Sequence, residues 1–577
     1  MKRIFKYLKP DMAFALVGIV LVALSAWVEL YQIRIMGDVI DVGIQSADMS
    51  LILKLGSRMI LLALLGIVVS VLGLVIPATV STRFAHRMRK ALYKRIQKFS
   101  VKNVNKFQTA SLITRLTNDV DFIQRTVLMI LRMLVRAPVL LVSTVYLTYT
   151  TNKFLSRIPL VMVILLSFVM VYVVTNGFPR FIKLQEKLDR LNQKIQESLI
   201  NIRVVKSFVR EEVEDERFSQ ENKEFYDAAI HAHNLMLLID PALQTAINFA
   251  TVLIMYFASF LIIDQHVLAI GDLLVFVNYL RFTMFSMMMM THVFMMMTRS
   301  KASLQRINEV FDEPIDIENE TSTVKPGQGG EIEFKNVSFK YYDDENVKNT
   351  LSHINFKIRR GERLGIIGST GSGKTTLINL LGRLIDPTEG EILFDGEDIK
   401  NFDLHALRAN FGFVPQKNIL FTGTIASNLR LGNPDADEAL LDKVTKAASI
   451  YDYIEESDEG YELEVQQGGH NFSGGQRQRL CIARALAINP KVLILDDSTS
   501  ALDAETEKQV MESIDKEFKD MTLISIAQKI SSVASMDRII VLNEGEIVGY
   551  DTHENLLQTS QVYQEIYESQ QRNGVNA

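Results

Sequence analysis

The sequence predicts two bodies of different class joined end to end: an all-α membrane-spanning half of six helices, then an α/β half built around a glycine-rich loop. Three observations predict it. Long apolar runs crowd roughly the first 300 positions and thin out afterwards, the contrast expected of a spanning half and a soluble one. Gly368 to Thr375 reads Gly-Ser-Thr-Gly-Ser-Gly-Lys-Thr, a fit to G-x-x-x-x-G-K-[ST]. That loop follows a short apolar strand, Arg363 to Ile367, and opens a helical run, Thr376 to Leu384. At 577 residues the chain is also too long for a single core.

A bilayer core takes about 20 mostly apolar residues per helix. Six candidates lie near 12–35, 57–82, 133–151, 158–178, 241–263 and 273–297. Positive charge sets their orientation. Lys2, Arg3, Lys6 and Lys9 precede the first span, and Arg83, Arg87, Arg89, Lys90, Lys94, Arg95 and Lys98 follow the second. Both groups are expected in the cytoplasm. Gly37 to Ser50 has no Lys or Arg and carries Asp38, Asp41 and Asp48, as an outward loop should, whereas Lys153 and Arg157 in the next outward loop depart from the rule. No small-residue cleavage site follows the first span, so it reads as a retained anchor. The expectation is a multi-pass protein of the inner (plasma) membrane with both termini cytoplasmic.

The inward connections, about 83–132 and 179–240, are long and charged. Leu184, Leu188, Leu191, Ile195 and Leu199 recur at helical spacing, so the spans are expected to continue far into the cytoplasm. An extension of about 25 residues projects roughly 35–40 Å. Asp240-Pro241 marks a kink at the inner end of the fifth span. Arg281 falls near mid-membrane, where a charge needs a water-filled cavity or an acidic partner, unless the span starts later and the side chain snorkels to the interface. Met284, Met287 to Met290 and Met295 to Met297 enrich the sixth span in thioethers, a composition that suits varied apolar ligands but also ordinary packing.

Composition excludes some classes of function. A formal net charge of -5, from 62 basic and 67 acidic residues, argues against a general nucleic-acid partner. The single cysteine, Cys481, rules out an intrachain disulfide and any multi-cysteine metal site, and reads as a small buried apolar residue.

In the soluble half, proline and glycine between positions 312 and 330 mark a linker, dividing 1–311 from 331–571. Strands are expected at Glu331 to Phe334 and Val337 to Tyr341. In the glycine-rich loop, Gly368, Ser369, Thr370, Gly371, Ser372 and Gly373 present backbone N–H groups to phosphates. Lys374 meets the outer phosphates, and the Thr375 hydroxyl meets Mg²⁺, with Thr376 next on the helix. Val492-Leu493-Ile494-Leu495-Asp496 is an apolar strand ending in a carboxylate placed to hold that ion. Ser473, Gly474, Gly475 and Gln476 open a helix running through Arg484, a second anion-binding terminus.

These motifs together resemble the ATP-binding cassette transporters, and within them the exporter half-transporters in which six spans are fused to one cassette. The resemblance covers the whole chain. It rests on the phosphate loop, Gln416 in Val414-Pro415-Gln416, the signature Phe472-Ser473-Gly474-Gly475-Gln476, the strand ending at Asp496, and Ser500-Ala501-Leu502-Asp503, all in the family's order. It implies a RecA-like core with a β subdomain and a helical subdomain, ATP and Mg²⁺ as ligands, and Tyr341 stacked on adenine. It also implies that Gln416 senses Mg²⁺ and the γ-phosphate, and that coupling helices lie near Lys106 to Ser111 and Phe208 to Glu214. The family works as a head-to-tail pair in which each ATP lies between one chain's phosphate loop and the other chain's signature, and Asp503 counts among the cofactor-binding residues.

Three residues depart from the family pattern. Asp497 stands where the glutamate that positions the attacking water is usual, Gln528 where a histidine contacts the γ-phosphate, and Gln467 where exporters commonly carry glutamate. Shortening the base by a methylene withdraws it by roughly 1 Å or more, a displacement that costs about 10²-fold in rate. The expectation is the degenerate-site subunit of a heterodimeric multidrug exporter, paired with a second, non-identical half-transporter and moving amphiphilic small molecules across membrane lipid. A lipid flippase of the same architecture and a nucleotide-gated membrane regulator are the competing functions, and a homodimer whose two weak sites suffice is the competing assembly.

Overall fold

The computed structural model describes residues 2–263, 268–317, 327, 329–341, 348–499 and 501–575. The chain divides into two compact units, Met1–Gln97 with Ala110–Asp312, and Lys98–Thr109 with Glu313–Ala577.

The first unit is all-helical and has six helices long and apolar enough to cross a membrane. The first span, Met12–Asp38, continues through a π-helical turn, Val39–Ile44. The second is Met49–Ile96, started by the Asp48 carboxylate, which accepts from the N–H groups of Ser50 and Leu51. The third is Val120–Thr151 and the fourth Arg157–Ile200. The fifth is Ile239–Ile263 and the sixth Ile270–Asp312. Leu61, Leu64, Ile67 and Val68 on the second span, with Leu165, Phe168 and Val171 on the fourth, are exposed, as side chains facing lipid must be.

Length bears out helices that run well beyond a bilayer core. The fourth helix has 44 residues, about 66 Å at 1.5 Å per residue, twice a bilayer core. Its distal half pairs with Glu211–Leu237 through Lys187–Glu224 and a 2.9 Å Lys194–Glu214 ion pair. The chain breaks at Leu238, three residues before Pro241, whose ring crowds the carbonyl four positions back.

The sixth span joins two apolar clusters. Leu280, Met284 and Met287 pack with Leu166 of the fourth span and Leu243 and Ile254 of the fifth. Val275 and Tyr279 pack with Ala26, Leu30 and Leu140 of the first and third. Met284 and Met287 are therefore core residues here. Arg281 is exposed and has no carboxylate partner among the described residues. The spans instead hold ion pairs that hydropathy concealed: Arg136–Glu29 at 2.5 Å and Arg34–Asp272 at 2.7 Å.

Short helices lie near the two stretches where coupling helices are expected. The first is Val101–Phe107, set by a capping box between Ser100 and Asn103 and ended at Gln108, whose φ is +62°. It belongs to the second unit, where Lys106 pairs with Glu313 at 2.7 Å, Ser100 Oγ donates to Asp316 at 2.9 Å, and Val101 packs on the core. The other is Ile202–Ser207, ended by Val209 at φ +50°.

The rest of the second unit carries a four-stranded antiparallel sheet and a six-stranded, mostly parallel one. The strands are β1 Ile332–Phe339, β2 Leu351–Ile358, β3 Arg363–Gly368, β4 Glu389–Phe394, β5 Glu397–Asp398 and β6 Phe411–Val414. There follow β7 Gly423–Thr424, β8 Glu464–Val465, β9 Val492–Asp496, β10 Thr522–Ile526, β11 Arg538–Asn543 and β12 Glu546–Asp551. The orders are β2-β1-β4-β5 and β12-β11-β3-β10-β9-β6, with β7 and β8 paired apart. The two strands expected around Val337 are one strand, β1, with a register shift between Phe334 and Val337 where Asn336 takes φ +50°. A bulge absorbs the break in alternation.

The six-stranded sheet separates two cores by simple alternation. Leu364, Ile366, Ile494, Ile524 and Ile540 face the antiparallel sheet and the helix Lys374–Leu381. Leu493, Leu495, Leu523, Ile539 and Val541 face the helices Glu438–Ala447 and Gly474–Leu486. Of the expected linker, residues 318–326 and 328 lie outside the described residues.

Candidate nucleotide site

β3 lies between β10 and β11 and delivers the loop 368–373 at the carboxyl edge of the parallel strands, where ligands of such sheets bind. Two of its glycines need the left-handed region: Gly371 at φ +85° and Gly373 at φ +103°. At Gly368 a side chain would run into the Leu542 carbonyl and Ser372 Oγ. The helix begins at Lys374, earlier than the sequence pattern suggested, so its free N–H groups crown the loop.

The lysine is folded onto the loop, Nζ donating to the Gly368 and Ser369 carbonyls at 2.8 Å each. Burial lowers its pKa, and the carboxylates of Asp496 and Asp497 oppose that shift. Ser369, Thr370 and Gly371 are exposed, whereas Ser372 Oγ is buried and has no hydrogen-bond partner among the described residues. A buried hydroxyl without a partner is costly, and a phosphate oxygen in the loop would satisfy it. The loop's N–H groups, its lysine and this hydroxyl fit a nucleotide phosphate chain.

Asp496 ends β9 nearly fully buried, and its Oδ2 accepts from Thr375 Oγ1 at 3.4 Å. Burial, more than any charge, raises its carboxyl pKa. Thr375 and Asp496 are the pair on which a phosphate-bound Mg²⁺ would rest. No cluster of three or more His, Cys, Asp or Glu that could hold a metal occurs among the described residues. β6 pairs with β9, Val414 opposite Leu495, and Gln416, two residues past that pair, is exposed. Ser498 Oγ donates to the Val414 carbonyl at 3.0 Å and ties the two strand ends together. Tyr341 lies edge-on to Phe339 with ring centroids 4.9 Å apart, and its hydroxyl is 3.2 Å from Thr376 Oγ1.

Asp497 takes φ +50°, a conformation Asp adopts at less cost than most L residues. Its N–H donates to the Ile526 carbonyl at 2.9 Å, and its Oδ2 accepts from Gln528 Nε2 at 2.8 Å. β10 ends at Ile526, so Gln528 sits just beyond the strand rather than on it.

Tyr341, Gly368 to Thr376, Asp496, Asp497 and Gln528 thus gather at one end of the sheet. The signature does not join them: its helix packs on the opposite core, and among the described residues no hydrogen bond or ion pair links it to the loop. Ser473 caps that helix in a reciprocal box with Gln476, the bonds being 3.2 and 2.8 Å. Gly474 and Gly475 lie against Ala501 and Leu502. Asp503 caps the helix Ala504–Glu517 through Thr506, whose N–H and hydroxyl hold its pKa down. Ser500 lies outside the described residues.

Sequence reasoning missed Gln478, which is buried and accepts from the Ala501 N–H at 3.2 Å, fastening the segment before Asp503 to the signature helix. Its sole sequence signal was a polar residue on an apolar helix face. Cys481 is buried, its thiol pKa pushed up by burial. Gln467 is exposed in a short turn, and nothing in the structure explains its substitution for glutamate.

Residues 15–287 match the family description "ABC transporter transmembrane region", and residues 351–500 match "ABC transporter". The chain is 35% identical over 570 residues to the "Uncharacterized ABC transporter ATP-binding protein YfiB" of Bacillus subtilis (strain 168), covering 99% of this chain and 98% of that one. It is 32% identical to the corresponding protein MT1311 of Mycobacterium tuberculosis (strain CDC 1551 / Oshkosh), over 98% and 97%. A solved "bacterial Atm1-family ABC exporter with ATP bound" superposes with a TM-score of 0.78 at 25% identity, over 98% of both chains.

Proposed function

The chain belongs to the ABC transporters, as an exporter-type half-transporter with six spans and one cassette, and from that premise we propose that it is the catalytically weak partner of a heterodimeric exporter. Its own pocket takes MgATP: Tyr341 against adenine, Gly368 to Thr376 around the phosphates, Thr375, Asp496 and Gln416 around Mg²⁺. The ion supplies charge neutralisation at the outer phosphates. The observation that carries the reading is the side-chain amide of Gln528 bonded to the short carboxylate of Asp497 at 2.8 Å. An amide holds that carboxylate where a base should face water, and it cannot carry a proton as imidazolium. The pocket therefore grips ATP and hydrolyses it slowly.

The intact signature, Ser473 to Gln476, with Asp503 completes a competent site on a different partner. Nucleotide at both sites favours the closed cassette pair and the outward-facing spans, and hydrolysis at the partner's site resets them, a two-state equilibrium biased by nucleotide. The cargo is an amphiphilic or drug-like compound, and both termini are in the cytoplasm of a cell whose inner membrane holds the six spans.

Purifying the tagged chain from its native host tests this directly. A second, different half-transporter in stoichiometric amount is expected. A chain that purifies as a pair of identical copies with rapid ATP turnover overturns the asymmetric reading.

A further inference from the structure

The C-terminal helix, Gln561–Val575, reaches back to the loop that carries Gln528. Gln570 Nε2 donates to the Gln528 carbonyl at 2.8 Å, and its Oε1 accepts from the Ile530 N–H at 2.8 Å. A single side chain thus pairs with the backbone of 528–530 as a neighbouring strand would. A carboxamide offers both polarities at this reach, whereas glutamate lacks the donor and lysine the acceptor. The helix is well fixed at its other end. Tyr563 is fully buried with its hydroxyl 2.7 Å from His553 Nδ1, and Ile566 and Tyr567 pack on the core.

The loop so held leads to the outer-phosphate end of the pocket. Gln528 is bonded to Asp497, and Asp497 and Asp496 both act on the charge of Lys374, the residue that meets the outer phosphates. We propose that Gln570 is a positioning residue of the nucleotide pocket: its carboxamide fixes the backbone of 528–530 so that the Gln528 side chain stands where a γ-phosphate ends. The proposal rests on the reading that this pocket holds ATP. It makes the C-terminal helix part of what distinguishes ATP from ADP.

The test uses the full-length assembly in lipid nanodiscs, photolabelled with 8-azido-ATP and resolved by chain, with ATP or ADP as competitor. Gln570→Ala is expected to raise the ATP needed for displacement about 5-fold, the worth of one hydrogen bond, and to leave ADP unchanged. Gln528→Ala should show the same ATP-only loss, and the double variant no more than either alone. Gln570→Glu keeps the acceptor for the Ile530 N–H, and so the packing of that loop, yet is expected to reproduce the ATP-only loss. Equal shifts for ATP and ADP, or additive losses in the double variant, overturn the proposal while leaving the nucleotide reading intact. A native chain that takes no label overturns both.

Discussion

Gln528 Nε2 donates to Asp497 Oδ2 at 2.8 Å, across 31 positions of sequence. The bond joins the two residues at which the sequence departs from the family's catalytic pattern, so a change at one is felt at the other. On the proposed reading, a carboxylate anchored at φ +50° with its oxygen engaged by an amide has a short reach toward a water on the γ-phosphate. Placement of a general base outweighs its basicity when the error approaches an ångström.

Asp497→Glu should therefore raise hydrolysis in this chain's pocket by roughly 10-fold or more, and adding Gln528→His should raise it further. Single-turnover release of γ-phosphate is the measurement, in an assembly whose partner has lost its phosphate-loop lysine. The backbone at this position penalises the longer side chain, so a stability loss of about 1 kcal/mol is expected alongside. Unchanged turnover in the double variant would place the limit elsewhere.

Asp496 illustrates function held at the expense of stability. Burial raises its carboxyl pKa above the ordinary 3.8, so the folded chain binds that proton more tightly than the unfolded one. The cost of the buried charge is thus absent below pH 3.8, grows as pH rises through the folded value, and is complete above it. Asp496→Asn should raise the nucleotide-free Tm at pH 7, with a gain that shrinks as pH falls toward 4, while Mg²⁺-dependent ATP binding is lost. Thermal unfolding across that pH range, with and without MgATP, checks both halves.

What the sequence made legible follows local rules. Six apolar stretches, a glycine-rich loop after a strand and an apolar strand ending in aspartate each depend on neighbours, and each lies where expected. The helix Val101–Phe107 shows where such reading stops. Its start is a box between Ser100 and Asn103, and Asn in place of Glu or Gln hid it. The bulge at Asn336 was read as a break between strands because alternation fails there. Pairings between distant elements, such as Gln570 with the 528–530 loop, leave no periodic trace at all.

Ser473 caps a helix that packs on the core across the sheet from the phosphate-loop helix, so on the proposed reading its loss should be felt in another chain's pocket. Ser473→Ala removes the acceptor for the Gln476 N–H and costs the helix about 1 kcal/mol. Steady-state ATPase of the assembled transporter is expected to fall about 10-fold or more, while photolabelling of this chain's own pocket is unaffected. Loss of this chain's label with ATPase retained would mean that the signature serves its own loop.

The Glu29–Arg136 pair joins the first and third spans at 2.5 Å, with the side chains about a third exposed. A charge left alone at that depth has poor solvation, so removing one partner should cost more than removing both. Glu29→Gln is expected to destabilise the detergent-solubilised chain by about 1–2 kcal/mol, allowing for the exposure. Glu29→Gln with Arg136→Gln should recover at least half of that loss. Thermal unfolding of the four proteins of the cycle gives the coupling energy directly. Purely additive losses would show that each charge meets water independently and that the pair does not hold the two spans together.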